Sequence, residues 1–181
     1  MGIEIEKKYR LAREQEAAVR RRLVDVGAVA GEQEFEVNTL YGGHGLDPQT
    51  RVLRLRRVGV RAILTFKERY ATASAIKHQR EDETEVSDPD ALAAILDALG
   101  YRPVLIYEKR RTTWRIAGVE LVIDELPFGL FMEIEGQESD INEAESLLNL
   151  SGAEAEHASY PVLTERHGTL IDGLIEARFV K

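Results

Sequence analysis

Apolar and polar residues alternate with a period of two through most of the chain, the spacing of strands that bury one face, and take a helical spacing in three places. The alternation predicts eight strands, at about 3–9, 35–41, 51–58, 61–68, 79–87, 105–115, 119–125 and 130–136. Amphipathic helices are predicted over 13–26, 88–99 and 140–150. Gly27 and Gly100 stop the first two, because glycine takes the left-handed conformation that ends a helix without strain. Asp88-Pro89 and Asp140 are start signals for the second and third. Val58-Gly59-Val60, Ala117-Gly118 and Pro127-Phe128-Gly129 predict tight turns, so three strand connections read as hairpins and the pairing as antiparallel. Residues 42–45, with three glycines, and 70–77, rich in small residues, read as mobile loops.

On a strand, residues two apart share a face about 6.6 Å apart, so each face is read by skipping every other letter. Glu4, Glu6 and Lys8 share one face of the first strand, with Ile3, Ile5 and Tyr9 behind. Arg54 and Arg56 are backed by Leu53 and Leu55, and Thr65 and Lys67 by Leu64 and Phe66. The sign then changes: Glu81, Glu83 and Glu85 line one face, Lys109 and Arg111 another, Asp124 ends a strand backed by Leu121 and Ile123, and Glu133 and Glu135 are backed by Met132 and Ile134. An antiparallel sheet with one face in water would require no function. Solvent faces, however, usually mix signs within a strand, and here, among six basic groups and eight carboxylates, the Arg/Lys pairs and the carboxylate groups are segregated onto different strands. Eight strands can close into a barrel, and apolar faces turned outward to helices leave the charged faces inside. Like charges held together indoors need counter-ions. A multiply charged anion with a hard divalent cation, which takes oxygen ligands, supplies both.

Composition narrows the chemistry further. With 181 residues, 44% hydrophobic and 31% charged, the chain is expected to fold as a single domain over 1–181, and disorder is excluded. The net charge of −8 argues against a partner such as nucleic acid or a membrane surface bound through bulk positive charge. The absence of cysteine removes disulfides, thiolate metal sites and cysteine nucleophiles. No secretory signal and no apolar run long enough for a membrane span is read, and a cytoplasmic location is expected. There is no P-loop and no His-Glu-x-x-His zinc helix, so side chains must hold any phosphate. His44, His78, His157 and His167 are scattered and read as ordinary histidines, Trp114 as packing, and Lys77 and Arg80 as candidates to fold over a bound phosphate.

Glu4-Ile5-Glu6-Lys7-Lys8 resembles the opening strand of the CYTH family, the triphosphate tunnel metalloenzymes. In the family's order, Leu53-Arg54-Leu55-Arg56 resembles its arginine strand and Leu64-Thr65-Phe66-Lys67 its lysine strand. The acidic strand that begins at Glu81, the basic run Lys109-Arg110-Arg111, and Asp124 with Gly129-Leu130-Phe131-Met132-Glu133-Ile134-Glu135 are similar to the strands that follow. Ser159-Tyr160 matches a late signature, and Phe35-Glu36-Val37-Asn38 resembles the class IV cyclase-like branch. Gly42 departs from the family, which commonly has Asp there.

The resemblance implies an α+β fold, mainly β: a closed eight-stranded antiparallel barrel with helices outside, whose tunnel binds a triphosphate with Mg2+ or Mn2+. It implies that Lys8, Arg54, Arg56, Lys67, Lys109 and Arg111 grip the phosphate oxygens, while Glu4, Glu6, Glu133 and Glu135 hold the metal, aided by Asp124, Glu81, Glu83 and Glu85. Glu4, Glu6, Lys8, Glu133 and Glu135 form the expected catalytic set, with water attacking the terminal phosphorus. The expected activity is metal-dependent hydrolysis of inorganic tripolyphosphate or an organic triphosphate, with no nucleic-acid or membrane partner; a homodimer is admitted. Two alternatives stand beside it: a class IV adenylate cyclase making cyclic AMP and pyrophosphate, and a silent polyphosphate-binding module.

Overall fold

The structure is a computed structural model that describes residues 2–70, 77–116, 118–150 and 153–180, with the side chains of residues 2–4, 77 and 78 outside the description. Residues 71–76 of the stretch read as mobile, and Ala117 of one predicted turn, lie outside the described residues.

The chain runs β1 (Gly2–Leu11), α1 (Arg13–Asp25), β2 (Val29–Gly42), β3 (Arg51–Val58), β4 (Arg61–Arg69) and β5 (Lys77–Glu85). It continues through α2 (Pro89–Ala98), β6 (Arg102–Ile116), β7 (Val119–Leu126), β8 (Gly129–Glu135) and α3 (Glu138–Leu147). A short helix, α4 (Tyr160–His167), and a hairpin of β9 (Thr169–Ile171) and β10 (Leu174–Ala177) complete it. The architecture is α+β: four helices and a curled antiparallel sheet in the order β2-β3-β4-β5-β1-β8-β7-β6. The first and last strands of that order also pair with each other, from Val29 opposite Arg115 to Gly42 opposite Arg102. β6 is long enough to serve two partners along its other edge: Arg110–Ile116 pair with β7, and Leu105–Tyr107 pair with β10 in parallel.

Local chemistry explains the ends of the elements. Gly27 and Gly100 adopt φ of 77° and 86° just past α1 and α2, as predicted. The Asp88 carboxylate accepts the amides of Asp90 and Ala91 at 3.1 and 2.9 Å and caps α2. β2 begins at Val29 rather than at 35, because residues 29–34 have a tertiary partner in β6 that local apolarity does not reveal.

Three apolar clusters cover the sheet. Val19 and Leu23 of α1 and Ile141 and Ala144 of α3 pack on Leu121, Ile123, Met132 and Ile134, the outer faces of β7 and β8. Leu96 of α2 packs on Tyr41, Leu55 and Ala62 of β2, β3 and β4. Each such side chain contributes about 1.5–3 kcal/mol of burial, and truncating Leu121 to alanine would cost about 2–5 kcal/mol. The third cluster lies on the opposite face of the sheet, where Leu40, Leu105 and Phe131 meet Tyr160 and Leu163 of α4. One end of the inner face is therefore apolar and covered by α4.

Candidate functional site

With helices on the outer face, strand alternation turns the charged residues toward a common interior, where they line a cavity of about 380 Å³. That volume suits a small molecule. All six cations singled out in the sequence, Lys8, Arg54, Arg56, Lys67, Lys109 and Arg111, line it. So do Glu6, Glu81, Glu83, Glu133 and Glu135. Glu4 lies in β1 opposite Gln79, and its side chain is outside the described residues. Asp124 sits behind the cavity wall, 0% exposed. Glu85 is exposed at the end of β5 and is not among the lining residues. Arg80 pairs with Asp82 at 2.7 Å, and both lie on the face of β5 opposite Glu81 and Glu83. The side chain of Lys77 is outside the described residues.

Across β2, β6, β7 and β8 the charges are locked together. Arg111 forks onto Asp124, Nε to Oδ1 at 2.8 Å and Nη2 to Oδ2 at 2.6 Å, and its Nη2 also reaches Glu133 at 2.9 Å. Lys109 Nζ lies 3.3 Å from both Asp124 and Glu36. The Tyr160 hydroxyl donates to Asp124 at 2.8 Å, and the Lys8 ammonium sits 3.9 Å from the centre of the Tyr160 ring. Lys8 also pairs with Glu133 at 3.1 Å.

Burial and charge act against each other here. Burial alone would raise the Glu36 carboxyl, but Lys109, Arg111, Arg56 and Arg54 outweigh it and hold the group down at about 2. Burial, reinforced by Arg111, pushes the Lys109 ammonium down to about 8 despite the pull of Asp124, Glu36 and Glu133. Burial likewise opposes the Arg111 charge, yet Asp124 and its neighbours keep that guanidinium well above the ordinary value.

The β3–β4–β5 side is more open. Arg56 Nη2 meets Glu83 at 2.8 Å, Lys67 meets Glu81 at 2.7 Å, and Thr65 donates to Glu83 at 2.7 Å. Nε of both Arg54 and Arg56 is buried with no hydrogen-bond partner among the described residues. A buried cationic donor left unmet is costly, and an anion bound in the cavity that these two arginines line would offset their charge.

The cavity also holds oxygen donors suited to a hard cation. Glu6 faces Glu135 directly across β1 and β8, and Glu135 faces Glu120 of β7. Carboxylates alone fit Mg2+ or Mn2+ in donor chemistry. Among the described residues, no three carboxylate or imidazole side chains are grouped to hold a metal ion. The fit is one of donor type and register.

Several cavity residues escaped the sequence reading. Glu36, behind the lining, fell within the predicted strand, but its role as a partner of Lys109 follows only from the pairing of β2 with β6. Tyr107, Gln79 and Glu120 are single polar positions on faces already counted, and Arg69 is the next inward residue after Lys67. His157 lines the cavity beside Ala158 and Ser159. The β9–β10 hairpin did carry a signal, Asp172-Gly173, whose φ angles of 51° and 83° suit a tight hairpin turn.

Residues 2–160 match the CYTH domain. The chain belongs to the CYTH family. Its relatives include a curated protein of Methanocaldococcus jannaschii named "putative adenylate cyclase", 27% identical over 150 residues, which cover 81% of this chain and 83% of that one. A solved structure from Pyrococcus horikoshii superposes with a TM-score of 0.75 at 23% identity, covering 87% of this chain and 96% of its own. A Hippeastrum structure, described as a putative adenylyl cyclase with a dominant triphosphatase activity, has the same fold with a TM-score of 0.70 at 18% identity, covering 95% and 98%. Among the described residues, no helix of this CYTH protein is long and apolar enough to cross a membrane.

Proposed function

We propose that this CYTH protein is a divalent-metal-dependent triphosphatase that hydrolyses the terminal phosphate of a small-molecule triphosphate inside the charged cavity. The observation that carries the reading is the pair of buried, unmet Nε donors on Arg54 and Arg56, two residues of a cavity that five further cations share. The pairing of β2 with β6 supports a closed barrel and hence a tunnel around the substrate. Arg54 and Arg56 present forked donors to phosphate oxygens, while Lys8, Lys67 and Lys109 act as point charges. Arg111, already fixed by Asp124, supplies positive charge without rearrangement. Glu4, Glu6, Glu133 and Glu135 would hold the metal, with Glu81 and Glu83 as further ligands or orienting groups, while Asp124, behind the wall, orients Arg111 and Lys109. When bound, the ion neutralises phosphate charge and acidifies water. Phosphoryl transfer asks the protein for positioning and charge neutralisation, so no side-chain nucleophile is required.

The cyclase reading is favoured by the name of the Methanocaldococcus relative and by the resemblance of Phe35-Glu36-Val37-Asn38 to the class IV cyclase-like branch. Against it, no residue set among the described residues that line the cavity is recognisable as an adenine reader, and so many charged groups imply a wet site in which water competes with the ribose hydroxyl. Incubation with tripolyphosphate, ATP or thiamine triphosphate, each with Mg2+ and with Mn2+, separates the two. Release of orthophosphate is expected; cyclic AMP with pyrophosphate as the main products from ATP would overturn the hydrolase assignment.

A further inference from the structure

A seventh cation lines the cavity and stands apart from the other six. Each of Lys8, Arg54, Arg56, Lys67, Lys109 and Arg111 has a carboxylate oxygen within 4.0 Å. Arg69 has none among the described residues: its Nη1 donates to the Gln49 carbonyl at 3.3 Å and its Nη2 to the Ser159 hydroxyl at 3.1 Å, both neutral. The side chain is therefore held in place from two separate segments, with Glu6 and Glu165 acting on its charge only from beyond contact distance. Burial pushes its guanidinium below the ordinary arginine value, and the pull of Glu6 and Glu165 offsets only part of that.

Position gives this charge its meaning. Arg69 is two residues beyond Lys67 on the inner face of β4, so it extends the cationic row by one step of about 6.6 Å. It reaches toward Ser159, in the segment where Ala158, Pro161 and Val162 also line the cavity. A neutral wall of this kind would suit an organic group, and a guanidinium beside it with no carboxylate in contact among the described residues suits an anion instead.

We propose that Arg69 is a specificity-determining residue that binds the end phosphate of the substrate and favours an inorganic oligophosphate, anionic at both ends, over a nucleoside triphosphate. The proposal rests on the triphosphate reading of the cavity and deepens it. A purely structural role, tying the Gln49 loop and Ser159 to β4, would affect all ligands alike.

The test is calorimetric binding of tripolyphosphate and of ATP to the full chain and to its Arg69→Gln and Arg69→Lys variants, with turnover measured separately. Arg69→Gln is expected to weaken tripolyphosphate binding by about tenfold to a hundredfold, the scale of a lost charge-assisted contact, and ATP by less than about threefold. Arg69→Lys should recover part of the loss for tripolyphosphate. Equal weakening of both ligands, or of neither, overturns the proposal, and so does a wild-type protein that binds no tripolyphosphate. Because the ratio is read within one variant, a general loss of stability cannot imitate it. Binding with the expected ratio but no turnover under Mg2+ or Mn2+ would instead sink the hydrolase assignment and leave the role of Arg69 standing.

Discussion

Two walls of the cavity are built from the same residue types and behave differently. On the β2–β6–β7 side, Glu36, Lys109 and Asp124 are 1%, 1% and 0% exposed; Lys109 joins the two carboxylates, and Arg111, itself 18% exposed at its side chain, forks onto Asp124. On the β3–β4–β5 side, Arg56 and Glu83 are 14% and 38% exposed at their side chains, and both arginines keep an unmet Nε donor. The charged groups of the first wall meet their needs within the protein, although the Asn38 amide oxygen on β2 has no partner among the described residues; the second wall leaves two buried guanidinium donors unmet and pairs its charges where water or a ligand can compete. A charge on a strand face is thus framework or recognition surface according to whether its partners are complete. Residue type alone does not decide it.

The sharpest way to break this contrast is Asp124→Asn. It removes the shared counter-ion of Arg111 and Lys109 in a fully buried place, so a loss of about 3–5 kcal/mol is expected in denaturant unfolding. Glu83→Gln, on the open side, should change stability by less than about 1 kcal/mol. Comparable losses for the two would erase the distinction.

Next in size is the effect on ligand. Arg54→Ala and Arg56→Ala should each weaken tripolyphosphate binding by about a hundredfold, as expected for loss of a charge-assisted pair worth about 1.5–3 kcal/mol, and leave the melting temperature less affected than Asp124→Asn does. Calorimetric titration beside a thermal melt decides it. Tight binding retained in both variants would mean that the open wall is not the gripping surface.

The smallest expected effect concerns pH. Lys109 is depressed to about 8, so it loses its proton as pH rises through that value, and tripolyphosphate affinity should fall by a few fold between about pH 7 and 9. An arriving anion favours the ammonium, so binding near pH 8 should take up a proton, measurable as a buffer-dependent binding enthalpy. For the apo protein the sign is opposite: the penalty of the depressed lysine is fully present below about 8 and is relieved as pH rises toward the free value of 10.5. Glu36, held at about 2 against an ordinary 4.5, contributes stability above 4.5 that is lost as pH falls between these values. A pH-independent binding enthalpy would show that Lys109 does not change protonation with the ligand.

The strand pattern, the antiparallel pairing and the inward turn of Lys8, Arg54, Arg56, Lys67, Lys109 and Arg111 were legible because a period of two assigns faces without knowledge of neighbours. Partnership was not legible, since it depends on which strands meet. Asp124 read as a metal ligand like Glu133, and only the register opposite Arg111 displays it as the buried counter-ion of that residue. Glu36 required the pairing of β2 with β6. Tyr160, quoted only as a signature, enters from α4, an eight-residue helix too short to stand out by periodicity.

The edge shared by β2 and β6 also bears on how the chain acquires its shape. Synthesis delivers β2 to β5 first, and neighbouring hairpins of this kind can form while the rest is still being made. β6 must follow before β2 finds its second partner, and β1 waits longer still, for β8. Loop-closure entropy makes these distant pairings late and slow. The charged faces of the early strands therefore stay hydrated through most of the process, and the desolvation of Glu36, Lys109 and Asp124 falls on the final steps. Ionic strength, which screens like charges as they approach, should thus act on the rate of folding as well as on the folded protein.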